Sequence, residues 1–132
     1  MSTQANKQIV QAYMNHFGRS DIDGLLSMMT NDFTWTIVGK RHLSAFVGTK
    51  SKAEIVAIWS DLYAALDGAL TMSVTGMIAE NDQIAAEVVS DARTHGGKVY
   101  NNNYHLLITV RDGQVAAVKE YTDLMHVAEV FG

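Results

Sequence analysis

Apolar residues follow two rhythms along this chain, one in each half. Ile9, Tyr13 and Phe17 recur every fourth residue, with Val10 and Met14 beside them, which predicts an amphipathic helix stopping at Gly18. Ser20 stands three residues before Asp23, an N-cap with an acid near the capping-box position, and predicts a short second helix from Ile22 to about Met29. Phe33 to Val38 alternates aromatic or aliphatic residues with Thr and reads as a strand. Gly39 to Gly48 has no period and reads as a loop. Ser51 and Glu54 form a cleaner capping box ahead of the stripe Ile55, Ile58, Trp59, Leu62 and Leu66, and Gly68 closes that third helix at the C′ position.

From Leu70 onward the period drops to two. Asn81-Asp82, Gly96-Gly97 and Asp112-Gly113 supply the positive φ of tight hairpins and divide this half into four antiparallel strands. In the strand Val99–Val110 the even positions Tyr104, Leu106, Ile108 and Val110 are the more apolar set, so they face the helices. Tyr100 and Asn102 continue that face toward the open end. The next strand resists this reading, because Val115–Val118 is apolar throughout and Lys119–Asp123 mixes polarity. Asp123 to Phe131 fits a short closing helix. Helices first and strands last predict an α+β domain over residues 1–132. It would be a cone, with three N-terminal helices packed in a strongly curved, mostly antiparallel sheet and polar residues at the open end forming a site.

Composition narrows the functions. At 132 residues, 48% hydrophobic and 18% charged, the chain has the profile of one ordered domain. No apolar run approaches the ~20 residues of a membrane helix, and MSTQANKQ is too polar for a signal peptide, so a cytoplasmic protein with no membrane partner is expected. The absence of Cys excludes disulfides, thiolate zinc and a cysteine nucleophile. A net charge of −4 without a basic stripe argues against nucleic acid. The five His are scattered without zinc-ligand spacing, and neither a phosphate-binding Gly loop nor a G-x-S-x-G elbow occurs. No metal or cofactor is expected.

The segment YNNNYHLLITVRDGQVAAVKEYTD resembles the C-terminal hairpin of SnoaL-like polyketide cyclases, within the nuclear-transport-factor-2-like superfamily. That hairpin has a Tyr-Asn-rich strand, an Asp-Gly turn and a closing Glu-Tyr-x-Asp. The stretch QAYMNHFGRSDIDGLLSMMTNDFTW resembles the opening of the same superfamily, as in steroid isomerases and limonene epoxide hydrolase. The resemblance implies a cystatin-like, cone-shaped fold. It places the isomerases' oxyanion-hole tyrosine on Tyr13, but their general base on Ile37 and their buried acid near Leu106, neither of which carries a proton. The hydrolase's final-strand aspartate falls on Glu120, its middle-strand Arg and Asp on Glu87 and Val89, and its water-holding Tyr and Asn on Trp35 and Ile37. Neither mechanism transfers whole. The same alignment turns Glu87, Val89, Asp91 and the even positions of the last strand inward.

The leading expectation is therefore a small-molecule enzyme performing cofactor-free acid/base chemistry on a hydrophobic, oxygenated substrate. Glu120 would be the acid/base, with Glu87 sharing a proton if it also points inward, and Tyr13 would donate to developing negative charge. Trp35, Ile37, Trp59, Leu62, Asn102 and Tyr104 would form the walls. The rival is a non-catalytic ligand-binding or protein-interaction module on the same cone. An open pocket with two or more convergent polar groups favours the enzyme, and a filled cone favours the module. If Asn103, His105, Leu107 and Thr109 face outward with Ala117, Lys119, Tyr121 and Asp123, that mixed surface predicts a homodimer through the outer sheet face.

Overall fold

The computed structural model describes residues 2–132. Helix α1 (Thr3–Gly18) starts at Ser2, whose hydroxyl accepts from the Ala5 N–H at 3.0 Å, and stops at Gly18 as the pattern predicts. Helix α2 (Ile22–Ser27) is capped by Asp21 rather than Ser20. Ser20 takes the turn, at φ 51°, and Asp21 accepts both the Gly24 N–H at 2.9 Å and a bond from His16 Nδ1 at 3.0 Å. A carboxylate offers a separate oxygen to each donor, where a serine hydroxyl has only one. Helix α3 (Lys52–Ala65) begins with the expected capping box between Ser51 and Glu54.

Among the described residues seven strands form one sheet in the order β2-β1-β7-β6-β4-β3, with β5 joined to β4. Their ranges are β1 (Met29–Ile37), β2 (Gly48–Ser51), β3 (Thr71–Glu80), β4 (Gln83–Arg93), β5 (Val99–Tyr100), β6 (Asn103–Arg111) and β7 (Gln114–Thr122). Only β1 with β7 is parallel, so the sheet is mostly antiparallel. The Asn81-Asp82 and Asp112-Gly113 hairpins stand where the sequence puts them, with Asn81 at φ 55° and Asp112 and Gly113 at 52° and 79°.

Three elements differ from the pattern. Strand β1 starts at Met29, because pairing with β7 runs from Met29–Val115 across a register shift to Thr34–Ala117, and this carries the strand through the polar Thr30-Asn31-Asp32. The stretch expected as loop holds a 3-10 turn at Arg41–Leu43 and ends in β2, whose residues pair with β1 from Thr34–Ser51 to Ile37–Gly48. The expected strand Val99–Val110 is two strands. Asn102 interrupts it by accepting the N–H of its neighbour Asn103 on its own side-chain oxygen at 2.9 Å.

The concave face of the sheet carries the core. Val10, Tyr13, Met14 and Phe17 of α1 are buried, as are Ile84, Ala86 and Val88 of β4 and Leu106, Ile108 and Val118 of β6 and β7. At the mouth, helix α4 (Leu124–Phe131) is capped by Asp123, which accepts from Met125 and His126. Gly39 admits it, since a Cβ there would lie 2.5 Å from Leu124 Cδ1 and 3.0 Å from Val47 Cγ2. No helix among the described residues is long and apolar enough to cross a membrane.

Candidate functional site

The pairing register answers the question that the composition of β7 leaves open. Glu120 stands between Ile37 of β1 and Leu106 of β6, and Val118 stands between Trp35 and Ile108. Residues directly opposite across a sheet share a face, so Glu120 takes the inward direction of two buried aliphatic neighbours. The Trp35 indole N–H donates to Glu120 Oε1 at 2.9 Å. Burial in this apolar wall pushes the Glu120 carboxyl up to about 7, and the Trp35 hydrogen bond pulls it down by less than burial raises it. Glu120 keeps partial solvent access. That access is compatible with strong desolvation because the space it faces is lined mostly by hydrocarbon.

That space is a cavity of about 300 Å³ at the end of the cone. Phe17 of α1, Trp35 and Ile37 of β1, and Trp59 and Leu62 of α3 form one side. Phe17, Trp35 and Trp59 meet edge to face, with ring centroids 5.2–6.2 Å apart, which holds that side rigid. Leu124, Val127 and Phe131 of α4 form the cover, and Tyr100, Tyr104, Thr122 and Glu120 line the remaining wall. Tyr104 pairs with Thr122 across the sheet, one inward step from the Leu106–Glu120 pair.

The two tyrosines are joined. Tyr104 donates its hydroxyl to the Tyr100 oxygen at 2.6 Å, and Asn102 Nδ2 donates to the same oxygen at 3.3 Å. Burial raises both phenols above their ordinary range, and the nearby Glu120 charge adds to the rise. Both are therefore neutral donors at any physiological pH. Among the described residues no group of three His, Asp or Glu side chains is arranged to hold a metal ion.

Six of the sequence-selected residues meet at this cavity: Glu120, Trp35, Ile37, Trp59, Leu62 and Tyr104. Three do not. Glu87 is exposed on the outer face, paired in register with His105, whose neighbours Tyr104 and Leu106 are the inward residues. Parity carries Val89 and Asp91 outward with it, while Ala86, Val88 and Ser90 face in. Tyr13 is fully buried but does not line the cavity. It packs at 5.7 Å against Phe17, which holds the wall position instead, and no protein group bonds its hydroxyl among the described residues. Asn102 is buried at 1% exposure and lies behind the wall. Its amide is consumed by Tyr100, the Asp123 carbonyl at 3.2 Å and the Asn103 N–H.

The α4 cover shows in the sequence only as spacing, since Leu124, Val127 and Phe131 fall at i, i+3 and i+7 of one helix face. Alternation marks Tyr100 only as an inward residue. The residue's partners come from a helix and a strand that no local pattern connects.

A SnoaL-like domain model matches residues 10–118. The chain belongs to the SnoaL-like family. An uncharacterized protein of Mycobacterium tuberculosis (strain H37Rv) is 25% identical over 122 residues, covering 92% of this chain and 91% of that protein. An NTF2-like protein from Burkholderia xenovorans LB400 is 26% identical, with a TM-score of 0.74 over 100% of this chain and 99% of that one. TerC, co-crystallized with polyporic acid, superposes with a TM-score of 0.81 at 21% identity, covering 96% of this SnoaL-like chain and 97% of TerC. The NTF2-like fold expected from the sequence is the fold observed.

Proposed function

We propose that this SnoaL-like protein is an enzyme that moves protons on a small, hydrophobic, oxygenated molecule held in the cone, with Glu120 as the acid/base. The observation that carries this reading is a carboxyl lining an apolar cavity with one oxygen held by Trp35, a setting whose burial pushes it up to about 7. A carboxylate so tuned is a stronger base than a solvated one and returns the proton readily at neutral pH. Glu120 would take a proton from the carbon beside a ligand carbonyl, leaving an enolate and a neutral acid. It would then deliver that proton to the same or another atom of the ligand. The cavity volume suits a ligand of two or three fused rings. TerC, which shares the fold, was co-crystallized with polyporic acid, consistent with an oxygenated organic ligand.

The test is exchange of α-hydrogens of bicyclic ketones such as 1-tetralone in D₂O, followed by NMR. Exchange should rise with pH through an inflection near 7 and fall at least about 100-fold in Glu120→Gln. Ketones that bind without any catalysed exchange would identify a ligand-binding module instead.

We propose also that two copies pair through the outer sheet face. There Glu87, His105 and Tyr121 form one cross-strand row, and Ala85, Leu107 and Lys119 the next. Ile78 at 74% and Tyr121 at 46% exposure add apolar area. Light scattering should give about twice 14.5 kDa, and Leu107→Arg with Tyr121→Glu should give the monomer mass. A wild-type monomer at micromolar concentration would remove this interface.

A further inference from the structure

The cavity wall that carries Glu120 also carries Tyr100, on whose oxygen two hydrogen bonds converge. The Asn102 backbone N–H donates to Ser90 Oγ at 2.8 Å. Tyr104 donates its hydroxyl to the Tyr100 oxygen at 2.6 Å. Asn102 Nδ2 donates to that same oxygen at 3.3 Å. A phenol oxygen accepts two hydrogen bonds and donates one. Both acceptor positions of Tyr100 are thus occupied, and its own proton has no acceptor among the described residues.

The Tyr100 ring is also held in place. The His126 imidazole stacks on it at 5.6 Å with planes 4° apart, and Phe131 meets it edge-on at 4.9 Å. The Asn101 N–H donates to His126 Nε2 at 3.2 Å and fixes that stack. Tyr100 thus has one free donor, a fixed ring and a place among the residues that line the cavity. Donation into Tyr100 from two sides polarises its O–H bond and makes it a better donor than an isolated phenol.

We infer that Tyr100 is the hydrogen-bond donor of this cavity, and that it selects ligands presenting an acceptor oxygen, a ketone or enolate oxygen, on the wall beside Glu120. Asn102 and Tyr104 are positioning residues that keep its proton free, and Ser90 holds the Asn102 backbone. The inference rests on the proposed function for the identity of the base, but the donor is a separate group on separate strands. With the ligand oxygen held by Tyr100 and Glu120 nearby on the same wall, the two groups would withdraw a proton and stabilise the resulting negative oxygen together. The role that the family resemblance puts on Tyr13 of the first helix passes here to a residue of β5.

The experiment compares 1-tetralone with tetralin, which has the same rings and no oxygen. Tyr100→Phe should weaken 1-tetralone binding about tenfold and leave tetralin within about twofold, the loss of one hydrogen bond in an apolar site. As a readout that removes no hydroxyl, 3-fluorotyrosine placed at position 100 alone should show a ¹⁹F shift on adding 1-tetralone and a smaller one with tetralin. Equal losses for both ligands, unchanged 1-tetralone affinity, or identical ¹⁹F responses would overturn the inference. So would a wild-type protein that binds the two ligands alike. The base is checked independently on the wild-type protein by the α-hydrogen exchange. Selective binding without exchange leaves the donor standing and removes the base, and exchange without ligand selectivity does the reverse.

Discussion

Two glutamates of this sheet, separated by a single strand, live in different solvents. Glu120 on β7 faces the cavity between Ile37 and Leu106, with Trp35 on one oxygen and its carboxyl raised to about 7 by burial. Glu87 on β4 pairs with His105 of the intervening β6 and stands exposed on the convex face. Both belong to strands rich in small and β-branched residues, and the family resemblance turns both inward. One step of register decides between them, because successive residues of a strand point to opposite faces. A carboxylate becomes a candidate proton carrier here through the face it occupies, not through its residue type or its neighbours in sequence.

The widest gap between the two should appear in activity. Glu120→Gln should abolish α-hydrogen exchange to at least about 100-fold below wild type, whereas Glu87→Gln should stay within about twofold; equal losses would break the contrast. Next in size, Asn102→Ala should cost about 2–3 kcal/mol in chemical denaturation. The amide ties β6 to Tyr100 and to the start of α4, and its removal leaves the Asp123 carbonyl and the Asn103 N–H without these partners. A loss below 1 kcal/mol would mean that water replaces the amide without difficulty.

The sign of the pH dependence separates the glutamates further. A carboxyl that titrates at about 7 when folded and near ~4.3 when unfolded binds more protons in the native state between those values. Its contribution is therefore fully favourable below about 4, falls as pH rises toward 7, and is level above. Glu120→Gln should remove that decline and leave the variant more stable than wild type at pH 8, by on the order of 1–2 kcal/mol once the partial water access of the cavity is allowed for. Glu87→Gln should change stability by no more than about 0.5 kcal/mol at any pH, as expected of an exposed side chain. A variant at Glu120 that is less stable at pH 8 would make the carboxylate a structural partner.

The smallest effect sharpens the account of Glu120 itself. The Trp35 N–H favours the charged form, so Trp35→Phe should move the Glu120 midpoint above about 7 by NMR titration. A midpoint that stays or falls would show that the indole does not hold the carboxylate.

Much of the fold was legible because it is written in local rules. The four-residue recurrence of Ile9, Tyr13 and Phe17, the Ser51–Glu54 box and the Asp112-Gly113 turn each act within a few residues and need no distant partner. The alternation of β6 is equally local and assigns Tyr104 and Leu106 to the core face correctly. Strand β2 was not legible, since its four residues are strand only because β1 lies alongside. The expected Ser20 cap gives way to Asp21, whose second carboxylate oxygen serves His16, a partner from the preceding helix.

The site divides along the same line. By itself the sequence determined that a two-period half follows a helical half, that aromatic residues lie on the packing faces, and that Glu120 lies near the end of the last strand. Only the tertiary structure decided that Glu120 points in and Glu87 out, because register is a relation between strands and the apolar run Val115–Val118 carries no alternation to reveal it. Only packing put Phe17 rather than Tyr13 on the cavity wall, since both lie on one helical stripe and differ by a single turn. The hydrogen bonds from Tyr104 and Asn102 to Tyr100, with Ser90 holding the Asn102 backbone, likewise exist only once β4, β5 and β6 lie side by side. Hydrogen bonds between side chains on different strands leave no period in a sequence, and so the pairing of the site's polar groups was the part the sequence could not show.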